Sequence, residues 1–278
     1  MREEVGYISL GEVELYVEDT GPLHAPAFIV LHDGPGGSAY ALREGLSEYL
    51  EDYRVVYFDQ RGSGRSLELP PDPRLFTIDA LVEDVLGLAE ALGLERFRLL
   101  GHGFGGLVAL EAARRFEVDG LLLLGPWLSF PWLAEQLCRA AGCEALEDPE
   151  ENLACVLERA DPKTLFDRLM FPSLHGRLEY EWLLEGAALL DREAVGLAFV
   201  KNGLWRLDYR PYLSHLRAPV EVVVGERDGT SYPLVEEAMA FLEGGLQVIP
   251  EAGHFPWIDD PEAFERAMRT ALSSLVGV

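Results

Sequence analysis

With 278 residues, 49% of them hydrophobic and 26% charged, the chain can bury a large core and has the length of one big α/β domain or a domain with an insertion. Its 23 basic and 48 acidic side chains leave a formal charge of −25, a field that repels phosphate backbones and anionic membranes and argues against both as partners. No apolar run reaches the roughly 18–20 residues of a membrane span, and Met1 to Gly6 lacks a charged-then-apolar leader, so the chain reads as cytoplasmic.

In chain order, residues 7–10 and 13–18 flank Gly11 as an amino-terminal hairpin. Apolar β-type runs follow at 27–31, 54–59, 97–101, 120–125, 220–225 and 246–249, several of them unbroken, as expected when helices cover both faces of a mainly parallel sheet. Helix-period segments lie between them at 78–92, 107–116, 234–242 and 262–275, the last opened by Asp260 as N-cap and Pro261 at the first helical position. From Pro126 to about Pro219 the pattern is helical and rich in Trp, Leu and Glu. The expected organisation is therefore a core of residues 1–126 and 219–278 with an inserted helical cap, 127–218, over the carboxyl ends of the strands.

Cys138, Cys143 and Cys155 show no paired spacing, so the expectation is small buried hydrophobes rather than a disulfide framework or zinc site. No other spacing suggests a metal, and no cofactor is expected. Two Lys, two Asn and three Gln in the whole chain fit a heat-tolerant source and equally a GC-rich genome.

Ligands of open α/β sheets bind at the carboxyl ends of strands, which directs attention to the loops there. After Leu31 comes His32-Asp33-Gly34-Pro35-Gly36-Gly37, glycines that can turn N–H groups toward an oxyanion. After Phe58 comes Asp59-Gln60-Arg61-Gly62-Ser63-Gly64-Arg65-Ser66. Gly101-His102-Gly103-Phe104-Gly105-Gly106 has the glycine frame of a nucleophile elbow with glycine at the nucleophile position. Asp228 and His254 follow the last two strands.

These pieces, in this order, resemble the α/β-hydrolase superfamily, and within it the prolyl iminopeptidase (proline aminopeptidase) group, over nearly the whole chain. Residues 59–66 match that group's D-Q-R-G-S-G-R-S without change. The resemblance implies an α/β-hydrolase fold, with Asp228 as triad acid, His254 as general base, and the N–H groups of Gly34 and Phe104 as oxyanion hole. It also implies that Glu185 holds a substrate α-ammonium group, while the group's second such glutamate would fall near Val195. The implied substrate is a short peptide or amide with an amino-terminal proline or similar small residue, and a homo-oligomer is compatible with this reading.

Besides the cap position near Val195, two departures oppose a simple transfer of that activity. Gly103 removes the serine, which costs about a millionfold in turnover, or about 8–9 kcal/mol. Asp33 replaces the first glycine of the group's H-G-G-P-G, and a carboxylate there disfavours the negative charge that an oxyanion site stabilises. Gly103 also has a plain reading, relief of a strained elbow. Ser38, Ser63 and Ser66 are weak surrogates for the nucleophile. Three readings stay open: a hydrolase with activity lost or very slow, a non-hydrolytic binder of small amines or peptides, and a His254–Asp228 general-base enzyme. For Asp59, Arg61 and Arg65 a charge-paired structural role is expected, and for His102 local packing or hydrogen bonding rather than reaction.

Overall fold

Alternating apolar residues in the strands point to opposite faces of one sheet, and each face needs helices to cover it. A computed structural model describes residues 2–70, 72–187 and 192–277. Its strands are β1 (Glu3–Leu10), β2 (Val13–Thr20), β3 (Ala27–Leu31), β4 (Arg54–Phe58), β5 (Arg98–His102), β6 (Leu121–Leu124), β7 (Val220–Gly225) and β8 (Gly244–Ile249). They form one sheet in the order β1-β2-β4-β3-β5-β6-β7-β8. The β1–β2 hairpin pairs antiparallel and β2 runs antiparallel to β4, whereas the pairings from β4 to β8 are parallel.

The helices are α1 (Tyr40–Leu46), α2 (Ile78–Ala91), α3 (Phe104–Arg115), α4 (Phe130–Ala140), α5 (Pro149–Arg159), α6 (Pro162–Met170), α7 (Leu174–Leu183), α8 (Glu193–Lys201), α9 (Leu234–Ala238), α10 (Pro256–Asp259) and α11 (Pro261–Val276). On one face Ile29, Leu31, Leu99, Leu121 and Val222 pack with α2 and α3. On the other, Phe28, Val30, Leu100, Leu122 and Val223 pack with α1 and with Phe264, Met268 and Leu272 of α11. The Asp260 side chain accepts from Ala263 N–H and caps α11 as expected. Helix α3 starts three residues earlier than the sequence pattern suggests, because its N-cap is the elbow residue Gly103. The expected helix at 234–242 is shorter, giving way to a 3₁₀ turn at Met239–Phe241.

Between β6 and β7 the described residues carry α4 to α8 and no ladder, only an isolated bridge between Ser129 and Asp208. The cysteine expectation is corrected here. Cys143, just after α4, and Cys155, within α5, form a disulfide with Cα atoms 6.4 Å apart, because α5 folds back along α4. That return is not visible in a separation of 12 residues. Cys138 remains a buried free thiol. No helix among the described residues is long and apolar enough to cross a membrane.

Candidate active site

The loops after β3, β5, β7 and β8 converge at one end of the sheet. Register places Leu31 of β3 beside Gly101 of β5, and His102 beside Leu124 of β6, so the β3 loop and the elbow emerge side by side. The elbow residue Gly103 has φ 50° and ψ −115°, a conformation that strains any other residue. Its turn works only with small neighbours: a Cβ on Gly105 would run into the Leu31 carbonyl.

The β3 loop is pinned from below. Gln60 N–H donates to His32 Nε2 (3.0 Å) and its side chain donates to His32 O (2.8 Å), while His32 Nδ1–H donates to Asp33 O (2.6 Å). That tautomer is neutral, and burial holds the ring below the ordinary histidine range. Asp59 is wholly buried and accepts from Ala39 N–H, Arg65 N–H and the Arg65 guanidinium, while Arg61 chelates Asp84 at 2.7 and 2.6 Å. These charges hold the loops that form the floor.

Asp33 defines the site. Its Oδ1 accepts from Gly34 N–H (2.8 Å) and Phe104 N–H (2.9 Å), the two groups that the sequence offers to a substrate oxyanion. Gly34 and Phe104 are thus brought together as expected, but their donors already hold a side chain of this protein. The carboxylate also fills the space of the missing serine. A Cβ built on Gly103 would lie 2.6 Å from Asp33 Cγ and closer still to Oδ1. Gly103 and Asp33 are therefore sterically matched: the carboxylate can lie there only because residue 103 has no side chain.

His254 completes the arrangement. Its Nδ1 faces Asp228 Oδ2 at 2.7 Å and its Nε2 faces Asp33 Oδ2 at 3.3 Å. Carboxylates only accept, so both ring nitrogens carry protons. Burial opposes the charged ring, but the charges of Asp228 and Asp33 and the bonds to them override it and push its pKa up to about 10. Burial would raise both carboxyls; His254 instead holds Asp33 and Asp228 below the usual range. Asp228 is fixed by Thr230 N–H (2.9 Å), Thr230 Oγ1 (2.5 Å) and Ser231 Oγ (2.6 Å). The Trp127 indole N–H in turn donates to Thr230 Oγ1 (3.0 Å), and its ring stacks 5.9 Å from His254.

His102 packs and hydrogen-bonds within the site. Its Nε2–H donates to the His254 carbonyl (3.0 Å) and its ring lies 4.3 Å from the His254 ring, tilted by 33°. Burial, helped by the neighbouring His254 charge, lowers its pKa to about 4. Asp33, His102 and His254 could each offer a metal one atom, all within 4.8 Å of one another. His254 is already bonded through Nε2 to Asp33 and through Nδ1 to Asp228, which leaves no ring lone pair of His254 for a metal.

Asp33 and His102 open onto a cavity of about 740 Å³ whose walls include Trp127, Phe130, Phe166, Tyr180, Trp205, Phe255 and Trp257. The charged groups on its walls besides Asp33 are Lys163, Arg192 and Glu193. Glu185 is exposed and outside those walls, so the expected ammonium contact is not placed there. Glu193, two residues from the position proposed for a second glutamate, does line the cavity. Among the serines weighed as surrogates, Ser38 lines the cavity, while Ser66 is buried and bonded to Asp59 O.

Comparisons with known proteins agree with this architecture. The model of the alpha/beta hydrolase family matches residues 28–267. The crystal structure of a proline iminopeptidase-related protein from Thermus thermophilus is 65% identical and superposes with a TM-score of 0.97, covering 100% of this chain and 99% of that one. A proline iminopeptidase from Mycobacterium smegmatis, 21% identical, shares the fold with a TM-score of 0.75 over 99% of each chain. The "Putative carbamate hydrolase RutD" of Escherichia coli (strain UTI89 / UPEC) is 26% identical over 97% of each. With its sheet order and the family match over most of its length, the chain belongs to the alpha/beta hydrolase family.

Proposed function

We propose that this relative of the proline iminopeptidases binds a small ligand of the class of prolyl amides and short peptides in the aromatic cavity, under a helical cap of residues 127–218, without cleaving it by acyl transfer. The observation that carries this reading is the position of Asp33. It takes both N–H donors that an acyl-transfer transition state needs and occupies the nucleophile's space above Gly103. Without serine, the rate falls about a millionfold. A filled oxyanion hole removes much of the residual catalysis, about 10³–10⁴-fold, that such sites keep.

The general-base alternative is disfavoured by the same geometry. A histidine bonded to carboxylates through both nitrogens has no lone pair to offer. Binding has physical support from the cavity. Aromatic faces suit a ring the size of proline's, and Asp33 and Glu193 lie where an ammonium group could be received.

The test is titration with L-prolinamide and L-prolyl-4-nitroanilide, read by tryptophan fluorescence, with nitroaniline release followed in parallel. Saturable quenching without release is expected. A burst of nitroaniline, the mark of an acyl-enzyme, would overturn the proposal.

A further inference from the structure

Two cations lie on the cavity wall, and one of them is committed elsewhere. The Arg192 guanidinium donates to Gly64 O (3.1 and 2.8 Å) and Ser66 O (3.2 Å), and Glu68 lies 3.5 Å from it. Lys163, in the first turn of α6, is exposed at the cavity and has no ion pair among the described residues. The nearest acid in sequence, Asp161, is occupied as the N-cap of α6 by Thr164 N–H (2.9 Å) and Thr164 Oγ1 (2.8 Å). We infer that Lys163 receives the terminal carboxylate of the ligand, and that the cavity takes a peptide of about three residues with both ends free. This deepens the proposed binding of prolyl amides and short peptides and rests on it.

The floor of the cavity fixes which end of the ligand goes where. The N–H groups of Gly34 and Phe104, which would otherwise suit a carboxylate, hold Asp33 Oδ1. Two carboxylates around one imidazolium leave Asp33, Asp228 and His254 with a net negative charge, which repels a further anion. Glu193 adds to that field, because the N–H of its neighbour Arg192 donates to Gly36 O (2.8 Å) and sets it beside the β3 loop. The ammonium end therefore lies at the floor and the carboxylate end away from it.

Helix α6 sets the distance between the two ends. Lys163, Phe166 and Met170, spaced i, i+3 and i+7, share the face of α6 that lines the cavity. Met170 O accepts from His254 N–H (2.9 Å), which anchors the carboxyl end of α6 at the floor. Phe166 lies partway along, its ring 5.9 Å from that of Trp127, which stacks on His254 at 5.9 Å. Seven residues of helix put Lys163 about 10 Å farther from the floor than Met170, and helical side chains tilt toward the amino terminus, which carries the ammonium group outward. An extended peptide spans about 3.3–3.6 Å per residue, so free proline and a dipeptide fall short and about three residues bridge the two charges. L-prolinamide fills only the floor end and carries no charge for Lys163.

The experiment is a tryptophan-fluorescence titration of the whole chain at low salt with L-prolyl-glycyl-glycine, L-prolyl-glycine, the carboxyl-terminal amide of each, and L-prolinamide. The tripeptide acid should bind about three- to fivefold tighter than its amide, the worth of a solvent-exposed ion pair, and the dipeptide acid should show no such preference over its amide. Lys163→Met should bring the tripeptide acid down to the affinity of its amide, while Lys163→Arg keeps the preference. The comparison of acid with amide needs no variant, so a variant that fails to fold does not spoil the test. Equal binding of the tripeptide acid and its amide, or a preference that survives Lys163→Met, would overturn the inference. A preference as large in the dipeptide overturns it too, because the spacing along α6 would then play no part. Quenching by L-prolinamide with no preference for the acid leaves the binding reading standing, and absence of quenching by all five ligands removes both.

Discussion

Restoring the serine alone should not restore a serine hydrolase. A side chain at residue 103 must adopt φ 50°, ψ −115°, at a backbone cost of about 1–3 kcal/mol. It must also displace Asp33, whose Cγ lies 2.6 Å from where the new Cβ would be. The carboxylate then gives up two charge-assisted hydrogen bonds, each worth about 1.5–3 kcal/mol. Partial rehydration of Asp33 in the cavity offsets some of this loss. Gly103→Ser should therefore destabilise the fold by at least about 3 kcal/mol, a large single-residue effect that lowers Tm by several degrees. Asp33→Gly removes the obstruction, so in the serine background it should be less costly than in the parent, with a coupling of about 2 kcal/mol or more. The assay is a double-mutant cycle by chemical denaturation, with fluorophosphonate labelling of each protein to read the serine. Only Gly103→Ser/Asp33→Gly should label rapidly, since only there are the N–H donors empty and His254 free of its second carboxylate. Additive stabilities, with Gly103→Ser alone labelling as fast as the pair, would refute the steric match.

The remaining expectations concern pH, the disulfide and the cavity. His254 is raised from 6.5 to about 10, so its contribution to stability is complete below pH 6.5 and lost as pH rises toward 10. His102 is lowered to about 4, so its contribution is present above pH 6.5 and lost as pH falls toward 4; Asp33 and Asp228, both lowered, lose theirs at still lower pH. Thermal melting across pH should peak near 6.5, and Asp33→Asn should reduce the alkaline limb, which Asp228 still supplies in part; an unchanged limb would count against Asp33 as a contributor. Reducing Cys143–Cys155, which closes a 12-residue loop, should cost about 3 kcal/mol in local stability, seen as faster amide exchange in α4 and α5. Trp127→Ala should weaken L-prolinamide binding and loosen the Thr230 bond to Asp228, and Glu193→Gln should weaken binding more than Glu185→Gln does. Equal effects at 185 and 193 would contradict the placement of the cavity wall.

Much of the fold is legible in the chain because its signals are local. The apolar runs at 27–31 and 220–225 match β3 and β7 residue for residue, and Asp260-Pro261 marks the start of α11. The pairing of Asp228 with His254 is what the family resemblance implies for the loops after the last two strands. Asp33 is visible as a departure, but its consequence is not. The sequence shows it as a charge beside an oxyanion site, whereas the carboxylate lies inside that site and needs the distant Gly103 to do so. Compensation between distant positions leaves no periodicity or spacing to read. The Cys143–Cys155 bridge and the position of Glu193, rather than Glu185, on the cavity wall are hidden for a related reason. Both depend on how short helices return on one another, which local pattern leaves open.

The most direct test is the protonation of the His254 ring near neutral pH, read from its imidazole nitrogen-15 shifts and N–H protons in the parent and in Asp33→Asn. The account predicts both nitrogens protonated in the parent, persisting as pH rises toward 10, and loss of the Nε2 proton at much lower pH in the variant. A singly protonated ring in the parent near neutral pH, unchanged by Asp33→Asn, would show that Asp33 does not hold His254 and would contradict the account at its centre.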